Sequence, residues 1–308
     1  MAVLGAARTA GRRRHGDACM TDSLVHWVAL SLIPGLGGKT IHRLLAQFGS
    51  LEAILAANEA DLRSVPRIGP KLAAAILAID LDRTQAEMNV WIDQGISILQ
   101  RDDEGYPAAL RAVDDAPPIL FWQGCAAGPE SERAAAIVGT RQPSTESLQL
   151  AEQLAGALVA DGWTVISGLA AGIDTAAHTG AVRAGGRTWA VLGSGLHMIY
   201  PPENTTLAEQ IRGQGAVISE VHPASPPNSP ALVARNRLIS GLGRIIIVIE
   251  STETSGSMHA VRFARAQERQ VYAVDNGSPG NSLLLAEGAF PLPREQSHWL
   301  DLFREGVE

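Results

Sequence analysis

From Arg133 to the C-terminus the apolar residues follow two alternating rhythms. Short runs rich in valine and isoleucine end near Val138, Ser167, Leu192, Ser219, Glu250 and Val274. Between them apolar side chains recur at helical spacing, as in Leu148, Leu150, Ala151, Leu154 and Leu158, or Val261, Phe263 and Ala264. Strands alternating strictly with helices predict parallel strands joined by helical crossovers. The near-continuous apolar run Ile245 to Ile249 fits a central strand, because a strand covered on both faces has no place for polar residues. The expected fold class is α/β, a doubly wound, mostly parallel, Rossmann-like sheet whose ligands bind at the carboxyl ends of the strands.

Upstream the rhythm is helical, and a short pattern occurs twice. Leu32-Ile33-Pro34-Gly35-Leu36-Gly37-Gly38-Lys39 and Val65-Pro66-Arg67-Ile68-Gly69-Pro70-Lys71 share apolar, Pro, any residue, apolar, Gly, any residue, Lys, with Gly37 and Gly69 separated by 32 residues. Helical periodicity resumes after each, through Ile41, Leu44, Leu45 and Phe48, and through Leu72, Ile76 and Ile79. The pair resembles two helix-hairpin-helix motifs, which places a small all-helical domain before the sheet. Such hairpins present backbone amides to a DNA phosphate while the lysine adds charge. Gly35, Gly37, Lys39, Gly69 and Lys71 are therefore candidate duplex or phosphate contacts. The alternative is a packing module or a protein contact, since the surrounding helices carry little further positive charge.

Between these parts, Gly105 to Leu110 and Asp114 to Gly124 are too apolar and aromatic for a free linker. Ile96, Ile98 and Leu99, and Ile119 to Trp122, read as short strands able to extend a sheet edge. The expected division is a disordered tail over 1–20, a helical domain over 21–95, a packed connector over 96–133 and the Rossmann-like domain over 134–308.

Composition narrows the class further. The chain of 308 residues is 46% hydrophobic and 19% charged, enough apolar material for two cores. No run of about 18 apolar residues spans a membrane, and Arg8, Arg12, Arg13 and Arg14 are not followed by the apolar stretch of a secretory signal. A cytoplasmic location is expected, with no membrane partner. Cys19 and Cys125 lie far apart and fit a reducing compartment; with no H-x-x-x-H pair among the histidines, no metal site is expected. A net charge of −7 opposes nonspecific nucleic-acid binding, so any such site must be local.

The candidate chemistry lies in the turns that end the strands. Gly139-Thr140-Arg141, Ser167-Gly168-Leu169, Gly193-Ser194-Gly195 and Ser255-Gly256-Ser257 place glycines and hydroxyls where helix-opening amides point outward, and four such turns in one domain favour a phosphate-bearing ligand. Three familiar chemistries are excluded. The first turn has no second or third glycine for a nicotinamide dinucleotide, the domain has no lysine for a Walker A loop, and there is no G-x-S-x-G elbow. No cofactor and no catalytic residue are expected. Asp174 reads as a helix-start residue favoured by the dipole and His178 as a helix residue packed under the sheet.

A set of motifs occurs in the order and spacing of the DNA-processing protein A family (DprA, also called Smf), and the chain resembles that family over nearly its whole length. They are Gly105-Tyr106-Pro107 to Leu110, Pro117-Pro118-Ile119-Leu120 to Gly124, Ile137 to Arg141, Ser167 to His178, Leu192-Gly193-Ser194-Gly195, Tyr200-Pro201-Pro202-Glu203-Asn204, Ile218-Ser219-Glu220 and Arg235 to Leu242. The resemblance implies a non-enzymatic mediator that binds and protects single-stranded DNA and loads the recombinase RecA, in recombination or natural transformation, and that dimerises through its Rossmann-like domain. By the same resemblance Gly139, Thr140 and Arg141 grip a phosphate, Ser167 and Gly168 offer hydroxyl and amide beside it, Gly193, Ser194, Ser255 and Gly256 belong to the same mouth, and Arg235 and Arg237 line it while Asn236 orders the turn. Arg237 paired with Glu220 or Glu250 is the structural alternative.

The chain also departs from the family. Leu232-Val233-Ala234 stand where the family carries Phe-Pro-Arg or Lys, and Asp275 adds negative charge where a Val-Pro-Gly turn is usual, so weaker strand binding is expected. The chain ends at Glu308 with Trp299, Leu300 and Phe303 forming a closing helix where many relatives continue into a winged helix. A nucleotide-sensing or nucleotide-processing protein related to the Lonely Guy family is the alternative function, although its P-G-G-x-G-T-x-x-E motif is missing.

Overall fold

The computed structural model describes residues 22–125, 133–294 and 299–305; the tail expected over 1–20 lies outside them. Six helices come first: α1 (Asp22–Ser31), α2 (Gly38–Phe48), α3 (Leu51–Leu55), α4 (Glu59–Ser64), α5 (Pro70–Leu77) and α6 (Leu81–Asp93). Three of them start where a side chain closes the first turn, Ser50 accepting from the Ala53 amide, Asn58 from Asp61 and Asp80 from Arg83. Leu30, Ile41, Leu44, Ile54, Leu62 and Ile76 form the shared core of α1 to α5.

The two sequence repeats fold alike. Gly35 and Arg67 occupy the same open position, and both take a left-handed backbone, with φ of 85° and 74°. Glycine adopts that conformation freely, whereas a side chain there costs about 1–2 kcal/mol. Because Arg67 is exposed, Arg67→Gly should raise stability by roughly 1 kcal/mol after the extra freedom of the unfolded glycine is deducted. The midpoint of urea unfolding reads the change.

The rest of the chain builds one nine-stranded sheet. Strands β1 (Ser97–Gln100) and β2 (Ile119–Gly124), joined through the short helix α7 (Ala108–Arg111), are antiparallel to each other. Then come β3 (Ala134–Val138), α8 (Thr145–Ala160), β4 (Thr164–Ser167), α9 (Ile173–Arg183), β5 (Thr188–Val191), α10 (Thr205–Gln214) and β6 (Ala216–Ser219). After α11 (Ser229–Ala234) and α12 (Asn236–Leu242) follow β7 (Ile245–Val248), α13 (Ser257–Ala266), β8 (Gln270–Val274), α14 (Pro279–Ala286), β9 (Phe290–Leu292) and α15 (Trp299–Glu305). The spatial order is β1-β2-β6-β5-β4-β3-β7-β8-β9, parallel from β6 to β9, with β2 antiparallel to β6. Strands β5 and β7 stop one and two residues before the expected Leu192 and Glu250.

Alternation along the strands explains the two covered faces. Ala136, Val138, Ile246 and Val248 point to the side of α12, α13 and α14, while Ala135, Ile137, Ile245 and Ile247 point to the side of α8, α9 and the closing helix, where Trp299 and Phe303 are buried. Val25 and Val28 of α1 and Met88 and Trp91 of α6 share a core with Phe121, Ala190 and Val217. Apolar contact thus crosses the boundary expected at residue 95.

His178 packs beneath the sheet, fully buried, donating from Nδ1 to the Thr188 hydroxyl at 2.7 Å, which itself donates to the Val165 carbonyl. Burial, reinforced by the Arg235 charge, pushes its pKa down to about 3. The unfolded chain therefore binds a proton that the folded chain refuses. Stability should fall as pH drops from the usual histidine range toward 3, by about 1.4 kcal/mol per pH unit for this one group. Urea midpoints measured across that window for the native chain and for His178→Gln, whose midpoint should vary less, check the sign.

Candidate nucleic-acid interface

The chain winds outward from β3 through β4, β5 and β6, then returns to place β7 on the other side of β3. Such a reversal leaves a crevice at the carboxyl ends of the strands, because the loops after β3 and β7 diverge there. A cavity of about 510 Å³ occupies it. Gly139, Thr140 and Arg141 line one wall, Ser255 and Gly256 at the start of α13 another, and Leu232, Arg235 and Asn236 the floor. Arg141 is exposed on the rim and forms no ion pair among the described residues. Gly256 is exposed, with nothing within 4 Å of a Cβ added there.

Of the remaining predicted residues, Ser167, Gly193, Ser194 and Arg237 meet other parts of the chain, while Gly168 lines a small cavity next to the crevice together with Arg141 and Arg235. Ser167 is fully buried and donates to the Ile137 carbonyl at 2.6 Å, so its hydroxyl is not offered beside Arg141. The Gly168 and Ala170 amides donate to Asp174 Oδ2 at 3.1 and 3.3 Å, and the Ile173 amide donates to the Thr140 carbonyl. The opening of α9 therefore already holds an anion, the protein's own carboxylate, where a ligand phosphate was expected. Gly193 is buried, and a Cβ there would lie 2.7 Å from Leu232 Cα; Ser194 donates to the Met198 carbonyl at 2.7 Å. Arg237 does not line the mouth, because it pairs with Glu220 and lies 3.7 Å from Asp115. The structural alternative for Arg237 is the one realised.

Arg235 is corrected in a different way. It reaches the crevice floor but is only 5% exposed, with Nη1 donating to the carbonyls of Gly168 and Val191, Nε to Asn236 Oδ1 at 3.2 Å, and Nη2 3.9 Å from Asp174. Burial pushes the Asp174 carboxyl above its usual range against the pull of Arg235, and pulls the Arg235 guanidinium below its own. Gly168 is a glycine because a Cβ there would strike the Arg235 guanidinium. Asn236 bonds to the Gly256 carbonyl at 3.2 Å, tying α12 to the neighbouring loop instead of its own turn.

A larger cavity of about 640 Å³ is lined by Glu146 and Glu250 and, among the described residues, by Arg294 as its only cation, a poor setting for phosphate. Hydrogen bonds from Ser147, Ser144 and the Ser144 amide overcome the upward push of burial and hold the Glu250 carboxyl below its usual range, so it stays charged. Asp275 is exposed between Val274 and Asn276, which line this larger cavity, and does not line the crevice. Gly35, Gly37, Lys39, Gly69 and Lys71 remain exposed on the two hairpins.

A family model for the DNA recombination-mediator protein A matches residues 97–302, and one for a SAM-like helix-hairpin-helix tandem matches residues 29–79. The chain belongs to the DNA recombination-mediator protein A family. Protein Smf of Synechocystis is 35% identical over 258 residues, 82% of this chain and 64% of that protein. DNA processing protein DprA of Bacillus subtilis is 35% identical over 202 residues, 64% of this chain and 68% of that one. The chain thus spans about two thirds of the length of these relatives. The crystal structure of DprA from Streptococcus pneumoniae has a TM-score of 0.73 at 29% identity, covering 89% of this chain and 95% of that one. DprA from Helicobacter pylori, described for its single-stranded DNA binding mode, has a TM-score of 0.61 at 27% identity, covering 69% and 97%.

The fold of this recombination-mediator family member also exposes a residue that sequence reasoning passed over. Tyr200 shares a small cavity with Arg141, Pro201 and Leu232, and 41% of it is open to solvent. Its motif is visible in the sequence, but only the fold shows its ring beside the rim arginine.

Proposed function

We propose that the crevice binds single-stranded DNA, with Arg141 on a phosphate and Tyr200 against a base, and that the protein acts as a mediator and not as an enzyme. The exposed, unpaired Arg141 guanidinium at a sheet's switch point is the observation that carries this reading, and the single-stranded DNA binding of the Helicobacter pylori protein supports it. The groups that could do proton chemistry nearby are engaged: Asp174 holds backbone amides and Arg235, and His178 is sealed beneath the sheet. Loading of RecA and assembly as a homodimer belong to the same proposal. For the dimer, β9 is an open edge of the sheet, with Phe290 on it half exposed and Leu283 of the preceding helix α14 36% exposed. A cytoplasmic role agrees with the lack, among the described residues, of any helix long and apolar enough to cross a membrane.

The nucleotide-sensing or nucleotide-processing alternative is not favoured, and α13 after the Ser255 turn carries no carboxylate for hydrolysis. Titrating labelled oligothymidine and, separately, a nucleoside monophosphate at two salt concentrations tests the reading. Oligonucleotide binding that weakens with salt is expected, with log K falling by about 0.7 per log unit of salt for each phosphate contacted. Tight mononucleotide binding without oligonucleotide binding would overturn it.

A further inference from the structure

Two arginines outside the crevice, Arg101 and Arg111, converge at one place. A cavity of about 240 Å³ opens where α1 and α2 meet the end of β1, lined by Trp27, His42, Arg101, Asp102 and Arg111 among others. The connector motifs build its walls: the Tyr106 hydroxyl donates to the Pro117 carbonyl at 2.8 Å and the Arg101 amide to the Pro118 carbonyl at 2.9 Å. The same segment orients both guanidinium groups. Arg111 Nη2 donates to the carbonyls of Asp103 and Tyr106, and Arg101 Nη2 to that of Arg111 at 2.9 Å. Carbonyls aim a guanidinium without neutralising it, and neither arginine is ion-paired among the described residues. Arg111 Nε is buried with no acceptor at all.

His42 orients Arg101 from the other side. The Gly38 carbonyl can only accept, so Nδ1 donates to it at 2.9 Å, and Nε2 is left to accept from Arg101 Nη1 at 3.4 Å. That bond also joins the cavity to the first hairpin, whose Gly38 packs so closely on the Ala116 carbonyl and Pro118 that a Cβ would lie 3.1 and 3.3 Å from them. The volume equals that of about eight liquid waters, below the roughly 300 Å³ at which pockets hold drug-sized ligands. Room for one phosphate and its sugar, two forked donors and an indole wall together describe one ligand class.

We propose that this cavity binds a nucleotide phosphate, held by Arg101 and Arg111 with Trp27 beside the sugar or base. The inference rests on the nucleic-acid reading only for the source of that phosphate, since the end of a strand and a free nucleotide present the same chemistry.

The full chain tests it with 3′-labelled oligothymidine carrying either a 5′-phosphate or a 5′-hydroxyl, and with thymidine monophosphate by calorimetry. The expected result is several-fold tighter binding of the phosphorylated strand than of the 5′-hydroxyl strand, or binding of the monophosphate, that Arg101→Gln removes. Strand-end and free-nucleotide sources are told apart by which of the two shows the effect. Asp102→Asn, which removes the only carboxylate lining the cavity among the described residues, should strengthen it by about fivefold. Should Arg101→Gln fail to fold, as its melting curve would reveal, Asp102→Asn decides alone. Strand binding that ignores the 5′ end, with no monophosphate binding or none sensitive to these two substitutions, overturns the inference and leaves the crevice reading standing. Monophosphate binding sensitive to Arg101 without strand binding sinks the crevice reading and upholds the cavity.

Discussion

Replacing Arg235 by alanine is expected to destabilise the fold by about 3–5 kcal/mol, the cost of leaving one partner of a buried charge pair alone. Asp174 would keep its two amide donors but lose the cation beside it, and the Gly168 and Val191 carbonyls would lose their donor. The loss should depend on pH in a defined direction. With Arg235 gone, burial raises the Asp174 pKa further above its unfolded value, so the folded protein holds a proton that the unfolded chain releases. The penalty is then smallest in acid and grows as pH rises through the folded pKa. Urea midpoints at pH 5 and pH 8 read this. Adding Asp174→Asn should recover part of the loss, because the double variant buries no unpaired charge, and additive losses would show that the two side chains do not cooperate. If Arg235→Ala retains full stability but loses oligonucleotide binding, the residue is a ligand contact after all.

This outcome bears on what a sequence discloses about such a site. The parallel strands β3 to β8 are legible because each is covered on both faces, and Ile245 to Val248 has no polar position to confuse the reading. Strand β9 is not legible: Phe290-Pro291-Leu292 is three residues long and contains a proline that only an edge position tolerates. In the site, Gly139-Thr140-Arg141 and Ser255-Gly256 are found correctly as neighbours because they follow the two strands that flank the reversal of order. Gly168 and Gly193 look the same on paper and serve another purpose. A glycine after a strand admits whatever approaches it, and the visitor at Gly168 is Arg235, 67 positions away, while at Gly193 it is the backbone of Leu232. Local spelling records that space is needed but not who fills it. Likewise Asp174 occupies the anion position at the start of α9, so the strongest phosphate-like signal in the sequence is satisfied internally.

What remains for a ligand is narrower and easier to test: one guanidinium and one ring. Arg141→Ala should weaken oligothymidine binding by about 1.5–3 kcal/mol, or roughly 10- to 150-fold, the scale of hydrogen bonds to a charged group. Its melting temperature should not move, because Arg141 is exposed and holds no ion pair among the described residues. The salt dependence should become shallower by about 0.7 per log unit, as one phosphate contact is lost. Tyr200→Ala should weaken binding by about 1–3 kcal/mol through the loss of one stacked base. Here the salt slope should stay unchanged, because the ring releases no counterion, and Tyr200→Phe should restore affinity, because stacking needs the ring and not the hydroxyl. The pair of slopes separates the two roles even if the affinity losses are equal. Equal slopes for both variants would mean that Tyr200 acts only by positioning Arg141, which shares its cavity. Unchanged affinity in both variants would move the strand away from this crevice altogether.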